Sequence, residues 1–231
     1  MTCLISRVSL VAHRILAVCS ILAGTLLCIA AISGCSSSSH QSAPSGTITT
    51  VAGGGDSCLP SQTGCLATNA SLSGPTGVAV DTFGNLYISD QDNNRIRKVS
   101  ASTGNMTTFA GNGPSWPETG TYSGDGAAAT SAGLNTPSGI VVDSSGNLYI
   151  ADEDNYRVRK IDTSGIITTV AGIGPSCLGP SCNGQFGGYG GDGGDATHAA
   201  LNLPTGVAVD ASGNLYIADS GNNRIRMVSS K

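Results

Sequence analysis

The chain has 231 residues, of which 11% are charged, 4% are aromatic and 33 are glycine. This suffices for one domain with its own core, and the profile suits short strands and tight turns better than helices. All fifteen acidic residues lie beyond residue 55, while Arg7 and Arg14 lie near the start, so the body is more acidic than the net charge of −4. A phosphate-binding surface, and with it a nucleic-acid partner, is argued against.

Residues 1–34 read as an export signal: Arg7, His13 and Arg14 form a weakly basic head, and Ile15–Gly34 follow without a charge. Ile32-Ser33-Gly34-Cys35 resembles a bacterial lipobox, which makes Cys35 the expected lipidation site and membrane attachment its consequence. The alternative is an uncleaved anchor, since the uncharged stretch is long enough to span a bilayer, but that leaves Gly34-Cys35-Ser36 without a role. Residues 35–46 are serine-rich and read as a tether. Either reading places the body outside the cytoplasm, in the periplasm or at the cell surface.

The body is expected to span 47–231. It opens with Thr47-Ile48-Thr49-Thr50-Val51-Ala52-Gly53, an apolar and β-branched run that reads as a strand. The loop after it holds Cys58 and Cys65, and a later loop holds Cys177 and Cys182. In an oxidising compartment the simple assignment is Cys58–Cys65 and Cys177–Cys182. Zinc is the competing idea, but these spacings are not its usual ones.

A 23-residue unit then appears three times, as Gly77–Val99, Gly139–Ile161 and Gly206–Val228, inside repeats of about 75–111, 137–172 and 204–231. Such repetition means one supersecondary block stacked on its neighbours. Val78-Ala79-Val80 reads as an inner strand covered on both faces. Asp81…Asn85, with its counterparts Asp143…Asn147 and Asp210…Asn214, reads as a turn that the aspartate caps and the glycine closes in the left-handed conformation. Leu86-Tyr87-Ile88 is a second strand, Asp90–Asn94 a second turn, and Arg95–Val99 a third strand with a bulge or early end.

A fourth strand follows in two copies, at Met106–Gly111 and Ile166–Gly172. The third copy has none after Val228, and the matching segment stands at Thr47–Gly53. An N-terminal strand that completes the last sheet is the ring-closing device of β-propellers. The expected fold is therefore all-β, a propeller of four-stranded blades, three in this chain.

The pattern GVAVD…GNLYIAD…N.RIRKV…ITTVAG over Thr47–Ser230 resembles the NHL-repeat family. The resemblance implies a β-propeller, typically of six blades, whereas this chain supplies three. Two chains would supply six, with Ile48–Ala52 of each completing the sheet begun by Val207–Val228 of the other, so a homodimer is expected. The alternative is a truncated half-ring without a function of its own.

Asp90, Asn93 and Arg95 recur as Asp152, Asn155, Arg157 and as Asp219, Asn222, Arg224. Repetition in every blade points to structure, each arginine bonding the aspartate and the turn backbone. Arg97-Lys98 and Arg159-Lys160 read as a solvated strand face. Gly124-Asp125-Gly126 and Gly191–Asp195 superficially suggest calcium loops but lack the ligand count of an EF-hand. Each reads instead as a glycine turn entering a short alanine-rich helix that packs Leu134 or Leu201.

Some NHL-type propellers are zinc-dependent lyases, and the resemblance raises that alternative, with a lactonase-like metal enzyme beside it. The body holds only His40 and His198, and it has no GxSxG or Cys/His pair, so no catalytic or metal-ligating set emerges and no cofactor is expected. A binding or scaffold module is the expected function. Trp116, Tyr122, Phe186 and Tyr189 in the long loops are the candidate contacts, for a protein or a cell-wall glycan.

Overall fold

The computed structural model describes residues 46–55, 64–113, 120–174 and 188–230. Residues 1–45, including Cys35 and the leader, lie outside the described residues, as do Cys58, Cys177, Cys182, Trp116 and Phe186. Of the four cysteines expected to pair, Cys65 alone falls among the described residues, where it opens the first strand. The strands all fall within the compact unit Ile48–Lys231.

Thirteen strands form three antiparallel sheets among the described residues. The first has the order β1 (Cys65–Leu66), β5 (Asn105–Ala110), β4 (Arg95–Val99), β3 (Leu86–Asp90), β2 (Pro75–Val80). The second repeats it as β6 (Ala127–Ala128), β10 (Ile166–Ala171), β9 (Arg157–Ile161), β8 (Leu148–Asp152), β7 (Pro137–Val142). The third holds only β11 (Pro204–Val209), β12 (Leu215–Asp219) and β13 (Arg224–Val228). Each sheet is one blade, and a minimal strand lies outside the fourth in the two complete ones.

Local chemistry explains the hairpins. Asp81 Oδ1 accepts from the backbone N–H groups of Phe83 (3.0 Å) and Asn85 (2.9 Å), while its Oδ2 accepts from Asn85 Nδ2 (2.8 Å). Asp143 and Asp210 repeat the arrangement, and Gly84, Gly146 and Gly213 close the turns at φ near +80 to +86°. The second turn of each unit is a 3-10 turn, Gln91–Asn93 and its counterparts, ended by a left-handed residue: Asn94, Tyr156 or Asn223. The expected bulge is present, with its extra residue on the fourth strand. Ile96 pairs with Ala110 and Arg97 with Thr108, which leaves Phe109 between them.

Blades stack through β2, β7 and β11. Gly77 is required because a Cβ there would fall 2.3 Å from the Ser138 carbonyl oxygen of the next blade. Gly139 repeats the approach, 2.6 Å from the Thr205 carbonyl oxygen. Between the first two blades, Tyr87, Ile96 and Ala110 pack on Leu134, Ile140 and Ile150. Between the second and third, Val158 and Ala171 pack on Leu201 and Ile217.

Three expectations change. The alanine-rich helices are single 3-10 turns, Ala129–Ser131 and Ala196–His198, although Leu134 and Leu201 are buried beside them as expected. Val78 and Val80 are exposed, because no blade precedes β2 among the described residues. Thr47–Gly53 does not complete the third sheet within the chain: among the described residues β13 pairs with β12 alone, and Ile48 is exposed. The reason is angular. Three blades cover only part of a circle, so a segment held at the first blade does not reach the open edge of the last.

Candidate functional site

The recurring Asp-Asn-Arg set forms a buried network. Asp152 Oδ1 accepts from the Asn135 N–H (2.8 Å), and its Oδ2 accepts from Asn155 Nδ2 (2.9 Å) and Arg159 Nη1 (3.3 Å). Asp219 repeats this with Asn202, Asn222 and Arg226. Asp90 takes the Ser73 N–H and Asn93 Nδ2, both at 2.8 Å. The arginines named from sequence play a lesser part: Arg95, Arg157 and Arg224 each donate to the carbonyl of Asn93, Asn155 or Asn222. In the second and third blades the aspartate is met by the arginine two residues further on. Network and turn together act as a brace: all three aspartates are fully buried, and in Asp152 and Asp219 both oxygens are taken from within the blade. In Asp90, by contrast, Oδ1 takes both bonds and Oδ2 has no hydrogen-bond partner among the described residues.

Arg97 and Arg159 are therefore not on a solvated face; both are buried. Alternation decides this, because residues 95, 97 and 99 of a strand share one side and the blade closes over it. The signal is present in the sequence: arginine holds this position in all three units, whereas the adjacent lysine becomes Met227 in the third. Lys98 lies over the Tyr87 ring at 5.3 Å. Burial, together with the charge of Asp81, pushes the Tyr87 hydroxyl up to about 12.

Tyr122 and Tyr189 occupy matching places above the second and third blades. The Arg157 guanidinium lies 3.7 Å from the centre of the Tyr122 ring, and Arg224 lies 3.9 Å from that of Tyr189. Each hydroxyl donates to a loop carboxylate, Tyr122 to Asp125 (2.8 Å) and Tyr189 to Asp192 (2.5 Å). Those carboxylates also meet Arg159 at 2.7 Å and Arg226 at 2.6 Å. Burial opposes ionisation of Asp125, but hydrogen bonds from Thr169 and Tyr122 and the Arg159 charge outweigh it and hold the carboxyl below its ordinary range. The oxygens that a calcium ion would need are thus engaged by arginine and tyrosine. No group of three or more His, Cys, Asp or Glu side chains converges among the described residues.

The first blade has no such clasp among the described residues. Thr63 stands where the acid would be in sequence, and Arg97 Nη1 donates to Thr108 instead. His198 is exposed, 3.7 Å from Asp195. Of the candidate contact residues, the two among the described residues are a pair of exposed tyrosines, each held by stacking and hydrogen bonding on adjacent blades.

The sequence model for the NHL repeat matches residues 72–99 and 201–226. These ranges contain the first unit and all but the last two residues of the third, with their turns and braces. The chain carries NHL repeats. The model for the teneurin NHL domain matches residues 94–183 across the second NHL blade. Teneurin-4 of Mus musculus is 30% identical over 249 residues, covering 77% of this chain and 9% of Teneurin-4, so the chain spans a small part of that relative's length. Among solved structures, a protein of unknown function from Bacteroides thetaiotaomicron is similar at a TM-score of 0.53 and 27% identity, over 71% of this chain and 38% of the other. An auxiliary nutrient binding protein from Bacteroides ovatus is similar in fold, with a TM-score of 0.52 at 22% identity over 71% of this chain and 39% of that one. The architecture is that of an NHL-type β-propeller. Among the described residues, no helix is long and apolar enough to cross a membrane.

Proposed function

We propose that this protein is an exported, lipid-anchored NHL propeller that binds a protein or a cell-wall glycan through the loop end of its blades. The observation that supports this reading is the repeated clasp: Tyr122 and Tyr189 are exposed, yet fixed by Arg157, Arg224, Asp125 and Asp192. An amphipathic ring held in place before the partner arrives loses little entropy on binding and offers both a face and a hydroxyl. Trp116 and Phe186, in the same loops of the sequence, extend this candidate surface. Acylation at Cys35 supplies the anchor, and the cysteine pairs Cys58–Cys65 and Cys177–Cys182 brace the two loops that carry them.

Binding to purified cell-wall sacculi and to the isolated cell-surface protein fraction tests the reading. The parent chain should be retained by one of the two, and the Tyr122→Ala/Tyr189→Ala variant should lose at least about tenfold in affinity, as expected for central aromatic anchors. A double variant that binds as the parent does overturns the assignment of the surface. Membrane fractionation of Cys35→Ser tests the anchor: the body should be released or its leader left unprocessed, and an unchanged, membrane-bound product would contradict acylation.

A further inference from the structure

The third blade contains a slot that the other two have filled. In the second blade, β10 runs between β9 and β6, and Gly126 and Ala129 donate their N–H groups to the carbonyls of Ile167 (2.8 Å) and Gly165 (2.9 Å). The first blade does the same, Gly64 donating to Met106 and Ala67 to Gly104, both at 2.9 Å. At the corresponding place in the third blade, Gly193 and Ala196 have no such strand among the described residues. A cavity of about 660 Å³ opens there, between the edge Arg226–Ser229 and the loop Gly191–Asp195, with Leu201 and Ile217 at its floor.

A segment with the shape of the missing strand stands at the opposite end of the row of blades. Ile48–Ala52 aligns in sequence with Met106–Ala110 and Ile167–Ala171, and each is followed by a left-handed glycine: Gly53 at φ +84°, Gly111 at +90°, Gly172 at +93°. Gly53 donates to the Ala67 carbonyl at 2.9 Å, as Gly111 does to Ala129 and Gly172 to Ala196, both at 3.0 Å. Ala52 packs on the core of the first blade beside Ala67 and Ala70. The segment is thus fixed to the flank of the first blade as the last strand of a blade that would precede it. Its inward position is bare: Ile48 is 96% exposed, whereas Met106 is 1% and Ile167 is 0% exposed.

The two ends match in a second way. Ile225 of β13 is 72% exposed, although Ile96 and Val158 at the same position are 0% exposed under the next blade. Gly206 keeps the glycine of Gly77 and Gly139, yet the contact a Cβ would meet there is Ala218 Cβ at 3.3 Å in its own blade rather than a neighbour's backbone. The third blade therefore presents a face made to receive a following blade, and the first presents Val78 and Val80, exposed, where a preceding blade would sit.

We propose that two copies of this chain close one six-bladed ring, each inserting Ile48–Ala52 into the slot of the other's third blade. Six equal blades turn about 60° each, so three describe a half circle and a twofold axis relates the halves, a closed symmetry that leaves no open edge. The second blade sets the register. Val158, Arg159, Lys160 and Ile161 pair with Ala171, Thr169, Thr168 and Ile167, so Ile225, Arg226, Met227 and Val228 pair with the partner's Ala52, the partner's Thr50, the partner's Thr49 and the partner's Ile48. The exchanged strand fills the cavity, and the apolar side chains at both ends become buried together.

Disulfide trapping on the full chain in membranes tests this. With Ile48→Cys in one tagged copy and Val228→Cys in another, oxidation should give a mixed, covalently linked dimer on a non-reducing gel. Copies without the introduced cysteines should give none. A chain that carries both substitutions should form the same linked dimer; if it cross-links within itself and runs as a monomer, the ring closes alone and the proposal fails. Ile48→Asp supplies the second arm, because a residue so exposed in the single chain tolerates a charge there without unfolding, whereas the slot does not. Co-purification of two tagged copies should fall at least about tenfold in this variant, with circular dichroism unchanged, and stay at the parent level in Phe83→Asp, another exposed site. A parent chain that does not co-purify with itself, or an Ile48→Asp variant that still does, overturns the proposal.

Discussion

The second and third blades are near-copies in sequence, yet one is a finished sheet and the other is not. In the second, Arg159 is wholly enclosed, holding Asp152 and Asp125 together with the Gly133 and Ser123 carbonyls. In the third, Arg226 makes the matching contacts to Asp219, Asp192 and the Ala200 and Gly190 carbonyls, but lines an open cavity. Turn chemistry and hairpin register belong to each unit by itself. The burial that turns those contacts into stability comes from a neighbouring strand.

The contrast can be broken at the arginines. Arg159→Ala should cost about 3–5 kcal/mol, because Asp152 is left buried without its counter-charge. Arg226→Ala should cost clearly less in the single chain, since water reaches the third blade. Urea unfolding of the two variants measures the difference, and equal losses would remove the distinction between the blades.

Apolar positions give the next largest effect. Ile96→Ala should cost about 2–5 kcal/mol through the cavity it leaves, whereas Ile225→Ala should change the stability of the single chain by less than about 0.5 kcal/mol. A large loss in dilute Ile225→Ala protein would show that β13 is covered without a partner.

The brace of the second blade should also respond to pH. Burial pushes the Asp152 carboxyl up to about 6 from the ordinary 3.8. The folded protein then holds a proton that the unfolded chain has already released, and stability falls as pH rises between these two values. Asp152→Asn should flatten unfolding free energy over this window, and an unchanged slope would place the proton elsewhere.

The smallest effect concerns the left-handed residue after the second turn. It is asparagine at 94 and 223, but Tyr156 holds φ +55° in the second blade. Tyr156→Asn should stabilise by about 0.5–1 kcal/mol, since asparagine visits this region more readily. Thermal unfolding reads it as a rise of a few degrees, and a lower midpoint would mean that the ring contributes packing that outweighs the backbone relief.

Much of the fold is legible in the amino-acid sequence. Asp81, Asp143 and Asp210 with their glycines dictate the hairpins through bonds spanning a few residues, and the four-stranded pattern of a blade follows from periodicity; such local terms are carried by the sequence itself. Less of the site is legible there. Arg97 and Arg159 read as solvated because a charge in an alternating strand says nothing about what covers it, and the clasp of Tyr122 on Arg157 joins residues 35 apart across a loop. Whether Ile48 is core or surface likewise depends on the angle through which three blades turn, and that angle comes from how sheets pack, with Gly77 against Ser138 and Gly139 against Thr205. Only the tertiary structure could decide these matters, because burial is a property of neighbours, and the neighbours are set by long-range packing rather than by any residue's own preference.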